Sequence, residues 1–175
     1  MATYPLVVVV DDNDNEVGSA MLAEVWQRGL YHRIASVFIE DYQGRMLLQH
    51  RGSSVKLYPN CWDQAAGGHV DEGFTYETTA ANELAEELGL HDIKIKTVAT
   101  YRFNAKEDSR TINQFVRVFL AQIPSNTPLR PQAEEVSKLQ WFTPDELKRM
   151  TAEQPEAFTP GFLHELRTYF PTFAN

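Results

Sequence analysis

Cysteine is all but missing from this chain. Cys61 stands alone among 175 residues, so no internal disulfide can form, and a reducing, cytoplasmic setting fits. Long apolar runs are missing too. Nothing approaches the roughly 20 residues that a membrane-spanning helix needs. The short run Leu6–Val10 lacks a basic leader and is followed by Asp11 and Asp12, so it reads as a strand rather than a signal peptide. Positive charge is scarce: 16 Lys and Arg face 24 Asp and Glu, a formal net charge of −8. That balance argues against a nucleic-acid polymer as the main partner, but it permits a small phosphorylated molecule bridged by a cation. No internal repeat, low-complexity tract or linker divides the sequence. Hydrophobic residues at 43% and charged residues at 23% suit one globular domain, residues 1–175, with a sizeable core.

Lys and Arg are absent altogether from Leu57 to Ile93, and the chain's most informative stretch lies inside that gap. From Gly67 to Leu90 it reads GGHVDEGFTYETTAANELAEELGL. Ala80, Ala81, Leu84 and Leu88 recur at helical spacing, with Thr75 as the expected N-cap and Gly89 as the stop. Glu83, Glu86 and Glu87 are three and four residues apart, which sets their carboxylates on one helix face. Like charges at that spacing repel. A hard divalent cation with oxygen ligands would relieve the repulsion; a solvated acidic face is the plainer alternative.

The order of the whole stretch resembles the Nudix box, G-x5-E-x7-R-E-U-x-E-E-x-G-U, where U is a bulky apolar residue. Counted from Gly68, seven of the nine defined positions agree: Gly68, Glu83, Leu84, Glu86, Glu87, Gly89 and Leu90. Phe74 replaces the first Glu and Asn82 replaces the Arg. The joint loss of an acid and a base is the pattern expected of a discarded ion pair, and it predicts that Phe74 and Asn82 lie close together. The resemblance implies the Nudix α/β/α sandwich with a mixed β-sheet. It also implies a loop–helix–loop in which Glu83, Glu86 and Glu87 are catalytic and hold Mg²⁺, or Mn²⁺ in its place, against a diphosphate. Glu86 and Glu87 would be the main ligands, and Glu83 a further ligand or the base. Gly68 would belong to the substrate loop. His69, inside the box, reads as a hydrogen-bonded bystander.

Before the box, residues 1–31 form a prefix. Leu6–Val10 is a strand, Asp11–Asn15 a turn, Glu16–Gly18 a returning strand, and Ser19–Gln27 a helix capped by Ser19 and ended by Gly29. This prefix, followed by His32-Arg33, resembles the Nudix branch that holds isopentenyl-diphosphate isomerase and its hydrolase relatives. Ile34–Glu40 and Met46–Gln49 make a hairpin about Tyr42-Gln43-Gly44. Arg51 and Lys56 follow, at places where relatives of this branch contact substrate phosphates; ordinary surface cations are the alternative. Tyr58 and Trp62 read as structural aromatics. After the box, strands are expected at Ile93–Phe103 and Ile112–Ile123, joined by a charged turn from Asn104 to Arg110. Glu134 and Glu135 precede Trp141 in a loop that assists the metal or the water in some family members. Thr143, Pro144 and Glu146 make a helix entry. The tail carries an apolar stripe, Phe158, Phe162, Leu166 and Phe170, suited to core packing or to a dimer interface; monomer and homodimer both stay open.

Three functions follow. The first is Mg²⁺-dependent hydrolysis of a diphosphate linkage in a nucleoside diphosphate derivative or a similar small molecule. The second is isomerase chemistry, which in the isomerase uses a cysteine just before the Gly-His of the box and glutamates on the later strand. Here Ala66 and Gly67 lead into Gly68-His69, Cys61 comes too early, and Ile112–Phe115 offers no carboxylate. The third is a non-catalytic ligand-binding module, suggested by Phe74 and Asn82.

Overall fold

In the computed structural model, described here for residues 6–107 and 109–174, nine strands form one mixed sheet with helices on both faces. The first five residues of the prefix, position 108 of the expected charged turn, and residue 175 fall outside the described residues. The strands are β1 (Leu6–Val10), β2 (Glu16–Met21), β3 (Tyr31–Asp41), β4 (Met46–Arg51), β5 (Trp62–Asp63), β6 (Ala66–His69), β7 (Ile95–Glu107), β8 (Arg110–Ile123) and β9 (Val136–Phe142). The helices are α1 (Leu22–Arg28), α2 (Tyr76–Leu88), α3 (Pro144–Glu153) and α4 (Pro160–Tyr169).

The central strand is β3. Along one edge it runs parallel to β8 from Tyr31↔Asn113 to Asp41↔Ile123. Along the other it meets β1 at His32, β6 from Ile34 to Val37, and β4 at Ile39 and Glu40. Successive side chains of a strand point to opposite faces, so β3 feeds two cores. Ala35, Val37 and Ile39 pack with Ala80, Leu84 and Leu88 of α2. Phe38 packs with Leu147 of α3 and with Phe162, Leu166 and Phe170 around α4. The box helix and the carboxy-terminal helices therefore cover opposite faces of the sheet, the α/β/α sandwich expected from the sequence. Among the described residues no helix is long and apolar enough to cross a membrane.

Helix α2 begins and ends where its sequence dictates. Thr75 accepts from the Thr78 N–H, and the Thr78 hydroxyl accepts from the Thr75 N–H. Gly89 closes the helix with a left-handed φ of 68°, which costs glycine little. The Thr143–Glu146 capping box opens α3 as expected.

Two local expectations need correction. Ser19 is not a helix cap: β2 extends to Met21, because its ladder to β1 continues through Leu6↔Met21, and α1 starts only at Leu22 without a side-chain cap. The turn expected over Asn104–Arg110 is mostly strand, since β7 and β8 keep pairing out to Glu107↔Arg110. The tail stripe takes the core-packing role expected of it rather than the interface alternative. Phe158, Phe162, Leu166 and Phe170 are all buried in the second core.

The prefix is tied to the box helix by charge. Asp11 accepts from the backbone of Asn13 and Asn15, shaping the turn. Asp14 then meets Arg33 at 2.7 Å and the Tyr76 hydroxyl at 3.1 Å. Arg33 also lies over the Tyr76 ring, 5.2 Å from its centre.

Candidate active site

Of the three helix glutamates, the structure brings Glu83 and Glu87 together and leaves Glu86 exposed. Glu87 is only 4% exposed. Its carboxylate is held from two sides. Gln49 of β4 donates through Nε2 to Oε2 at 2.7 Å, and the Gly67 N–H of β6 donates to Oε1 at 3.2 Å. Burial, followed by the neighbouring Glu83 charge, pushes the Glu87 carboxyl well above the usual carboxylate range. Burial also raises Glu83; its contact with Glu87 opposes that rise, while the charges of Glu86, Glu135 and Asp71 add to it.

Gly68 has a direct steric reason. A methyl group in place of its hydrogen would overlap the Glu83 carboxylate. The β6 backbone thus passes flush against the acid pair, and only glycine leaves room for it.

The loop before β9 is clamped to the same helix end. Arg130 and Gln132 donate their N–H groups to the carbonyls of Leu88 and Glu87. The Gly52 N–H donates to the Glu135 carbonyl at 2.7 Å, and the Ser54 hydroxyl donates to that of Glu134. Glu134 and Glu135 then border a cleft of about 410 Å³ shared with Arg51, Lys56, Trp26 and His69. Arg51, Lys56, Glu134 and Glu135, singled out separately along the sequence, therefore line one concavity. Arg51 is already engaged, with Asp63 at 3.2 Å and with the Leu57 carbonyl. Lys56 is exposed.

His69 departs from its expected role. Its Nε2 is buried and makes no hydrogen bond, and the same is true of the Trp26 Nε1. The ring stacks on His32 at 5.3 Å, and burial drives its pKa down to about 3. His50 is spent on structure: its Nδ1 lies 2.8 Å from the Ser137 hydroxyl and its ring packs edge-on against Trp62. Phe74 and Asn82 are both exposed.

Gln49 was not anticipated. The signal was present in β4: Met46, Leu47 and Leu48 are buried, and Gln49 shares its face with Leu47, toward α2. A polar residue at an inward strand position needs a buried partner, and that partner is Glu87.

The donor set suits a hard divalent cation. Two carboxylates face each other, flanked by Asp71, Glu86 and Glu135, and none of the described lysines or arginines forms an ion pair with Glu83, Glu86 or Glu87. Oxygen ligands of this kind fit Mg²⁺. Among the described residues no three His, Cys, Asp or Glu side chains converge into a group that could hold a metal ion.

The NUDIX domain family matches residues 30–162. An uncharacterized Nudix hydrolase of Pseudomonas aeruginosa is 35% identical over 164 residues, covering 94% of this chain and 92% of its own. Isopentenyl-diphosphate Delta-isomerase 2 of Photorhabdus laumondii is 29% identical over 158 residues, covering 90% and 88%. Among solved structures, DR0079 of Deinococcus radiodurans superposes with a TM-score of 0.76 at 24% identity, over 94% of this chain and 99% of its own. With its sandwich, its box helix and its clamped acid pair, the chain belongs to the Nudix family.

Proposed function

We propose that the chain is a Mg²⁺-dependent hydrolase that cleaves a diphosphate linkage in a small molecule. The observation that carries this reading is the contact between half-buried Glu83 and buried Glu87, with no cationic side chain paired to either, near Glu135, which borders a cleft bearing Arg51 and Lys56. Burying one carboxylate without a cation costs several kcal/mol, and a stable core has no use for two. Mg²⁺, or Mn²⁺, bound to Glu83, Glu86 and Glu87 would supply charge neutralisation and an acidified water.

The chain's own residues do the remaining work. Gln49 and the Gly67 N–H fix Glu87, Gly68 leaves room for Glu83, and Arg51 and Lys56 neutralise phosphate oxygens. Glu134 or Glu135, both of which border the cleft, would assist the metal or the water. The reading takes the chain as one Nudix unit, since the prefix strands belong to the same sheet and α1 brings Trp26 to the cleft.

Isomerase chemistry is disfavoured although isomerases are among the relatives. Ala66 and Gly67, not a cysteine, stand just before Gly68-His69, and the β8 residue beside His32 is Gln114, an amide rather than a carboxylate. The test is Mg²⁺-dependent phosphate or nucleotide release from a panel of nucleoside and prenyl diphosphates, run beside Glu87→Gln. Release by the native chain with loss of at least about 100-fold in the variant supports the reading. Isomerisation of isopentenyl diphosphate without phosphate release would replace it, and ligand binding with no turnover would make the chain a binding module.

A further inference from the structure

A second cavity, about 170 Å³, lies on the sheet face opposite the box helix, between β3, β7, β8 and α4. Arg51 and Leu57 line both it and the phosphate-side cleft. Gln64, which borders the cavity, also abuts Gly67, whose N–H holds Glu87. The two spaces are thus neighbours on one path.

The cavity contains two buried carboxylates. Glu165 of α4 is 3% exposed and Asp63 of β5 is 6% exposed. Asp63 has a cation in Arg51 and accepts further from the Thr159 hydroxyl and the Gln64 N–H. Glu165 has none. Its Oε2 accepts from the Ser36 hydroxyl at 2.6 Å and its Oε1 from the Tyr101 hydroxyl at 2.8 Å. A carboxylate offers about four lone-pair sites. Glu165 therefore keeps about two and Asp63 about one. Neighbouring tail positions are filled by Phe162 and Leu166, so an acid at 165 gives up apolar packing and incurs desolvation. Spare acceptors in a cavity beside a diphosphate site are suited to a donor-bearing ligand.

We propose that this cavity receives the organic group attached to the diphosphate, and that Glu165 and Asp63 select an amino-bearing heterocyclic base over an oxo-bearing base or a hydrocarbon chain. The proposal rests on the hydrolase reading for the diphosphate but not for the base. A space equal to roughly six waters suits one or two fused rings, and Tyr101 and Phe103 supply aromatic walls. An amine would fill the spare lone pairs, whereas a carbonyl would set acceptor against acceptor. A hydrocarbon would strip the carboxylates of water and return nothing.

The test measures binding without turnover. Titration calorimetry at pH 8.5, above the Glu165 value of about 7, in Mg²⁺-free buffer would compare AMP with IMP and CMP with UMP, pairs in which an amino group becomes a carbonyl and the adjacent ring nitrogen turns from acceptor to N–H donor, and would include geranyl diphosphate. The native chain should bind each amino member at least about 10-fold more tightly than its oxo partner. Glu165→Gln, which replaces an acceptor with an amide donor, should cut that ratio to near one or invert it. Tyr101→Phe, which keeps the ring, should change the ratio if Glu165→Gln fails to fold. Equal affinity within both pairs, or tightest binding of geranyl diphosphate, overturns the proposal. Release from a diphosphate panel reports separately on the hydrolase reading: selective binding without release spares the cavity assignment, and release without base preference defeats it alone.

Discussion

Gln49 Nε2 sits 2.7 Å from Glu87 Oε2 and ties β4 to the box helix through one buried hydrogen bond. The bond sets which way the Glu87 carboxylate faces, and it is the chain's only side-chain donor to that group among the described residues. Gln49→Met keeps the side chain's length and removes the donor. The expected result is a loss of about 1–3 kcal/mol in urea unfolding, from a buried acceptor left short of a partner, and a roughly 10- to 100-fold weaker Mg²⁺ dependence of activity. Unchanged Mg²⁺ titration curves would show that Glu87 needs no such orientation.

Gly68 and Glu83 make a sharper case. The obstructed atoms in a Gly68→Ala variant belong to the far end of the Glu83 side chain, not to backbone. The helix can therefore keep its place while the carboxylate swings aside. Thermal stability should change little, and kcat should fall by about 100-fold, the scale set by a displacement of about 1 Å at a reacting centre. A folded variant with full kcat would remove Glu83 from the catalytic set.

Much of this was legible in the sequence because local chemistry and family pattern agreed. Thr75 and Gly89 bracketed α2 on capping grounds alone, and the four-residue spacing of Glu83 and Glu87 anticipated their contact. What the sequence could not show was which acid turns inward. That depends on Gln49 and Gly67, which come from two other strands. The cavity acids were hidden for the same reason. Glu165 reads as an ordinary helix glutamate until Ser36 and Tyr101, 129 and 64 residues away, close over it. The misplaced start of α1 has another cause: Ser19 is a good cap by propensity, but its pairing with Val8 holds it in β2.

The stripe on α4 predicts a large stability effect. Phe162 is fully buried between Phe38 and Phe158, with ring centres at 5.8 and 5.5 Å. Phe162→Ala should cost about 3–5 kcal/mol, a large part of the stability of an ordinary domain. The denaturation midpoint reads this directly. A loss under 1 kcal/mol, or a change of oligomeric state without a loss of stability, would return the stripe to an interface role.

The pH dependence turns on buried groups of opposite sign, Glu165 on one side and the His32–His69 stack on the other. Burial raises Glu165 from 4.5 to about 7. The folded chain thus binds its proton more tightly than the unfolded chain does, and this group makes the fold less stable as pH climbs from 4.5 to 7. Burial lowers His32 from 6.5 to about 4 and its stacking partner His69 from 6.5 to about 3. Here the unfolded chain binds the protons more tightly, so stability is full above 6.5 and falls as pH drops toward 4. Each shift is worth about 3–5 kcal/mol by linkage. Across pH 4.5–6.5 the trends oppose, but two histidines outweigh one glutamate, and the native chain should still lose stability there as pH falls. Glu165→Gln removes one of them. Relative to the native chain it should gain about 3 kcal/mol between pH 4.5 and 7.5, and its own stability should fall more steeply on acidification below 6.5, where His32 and His69 act unopposed by Glu165. Urea melts of both proteins at half-unit pH steps measure this. Parallel native and variant profiles would mean that Glu165 titrates as an ordinary carboxylate, its buried bonds to Ser36 and Tyr101 balancing the cost of its charge.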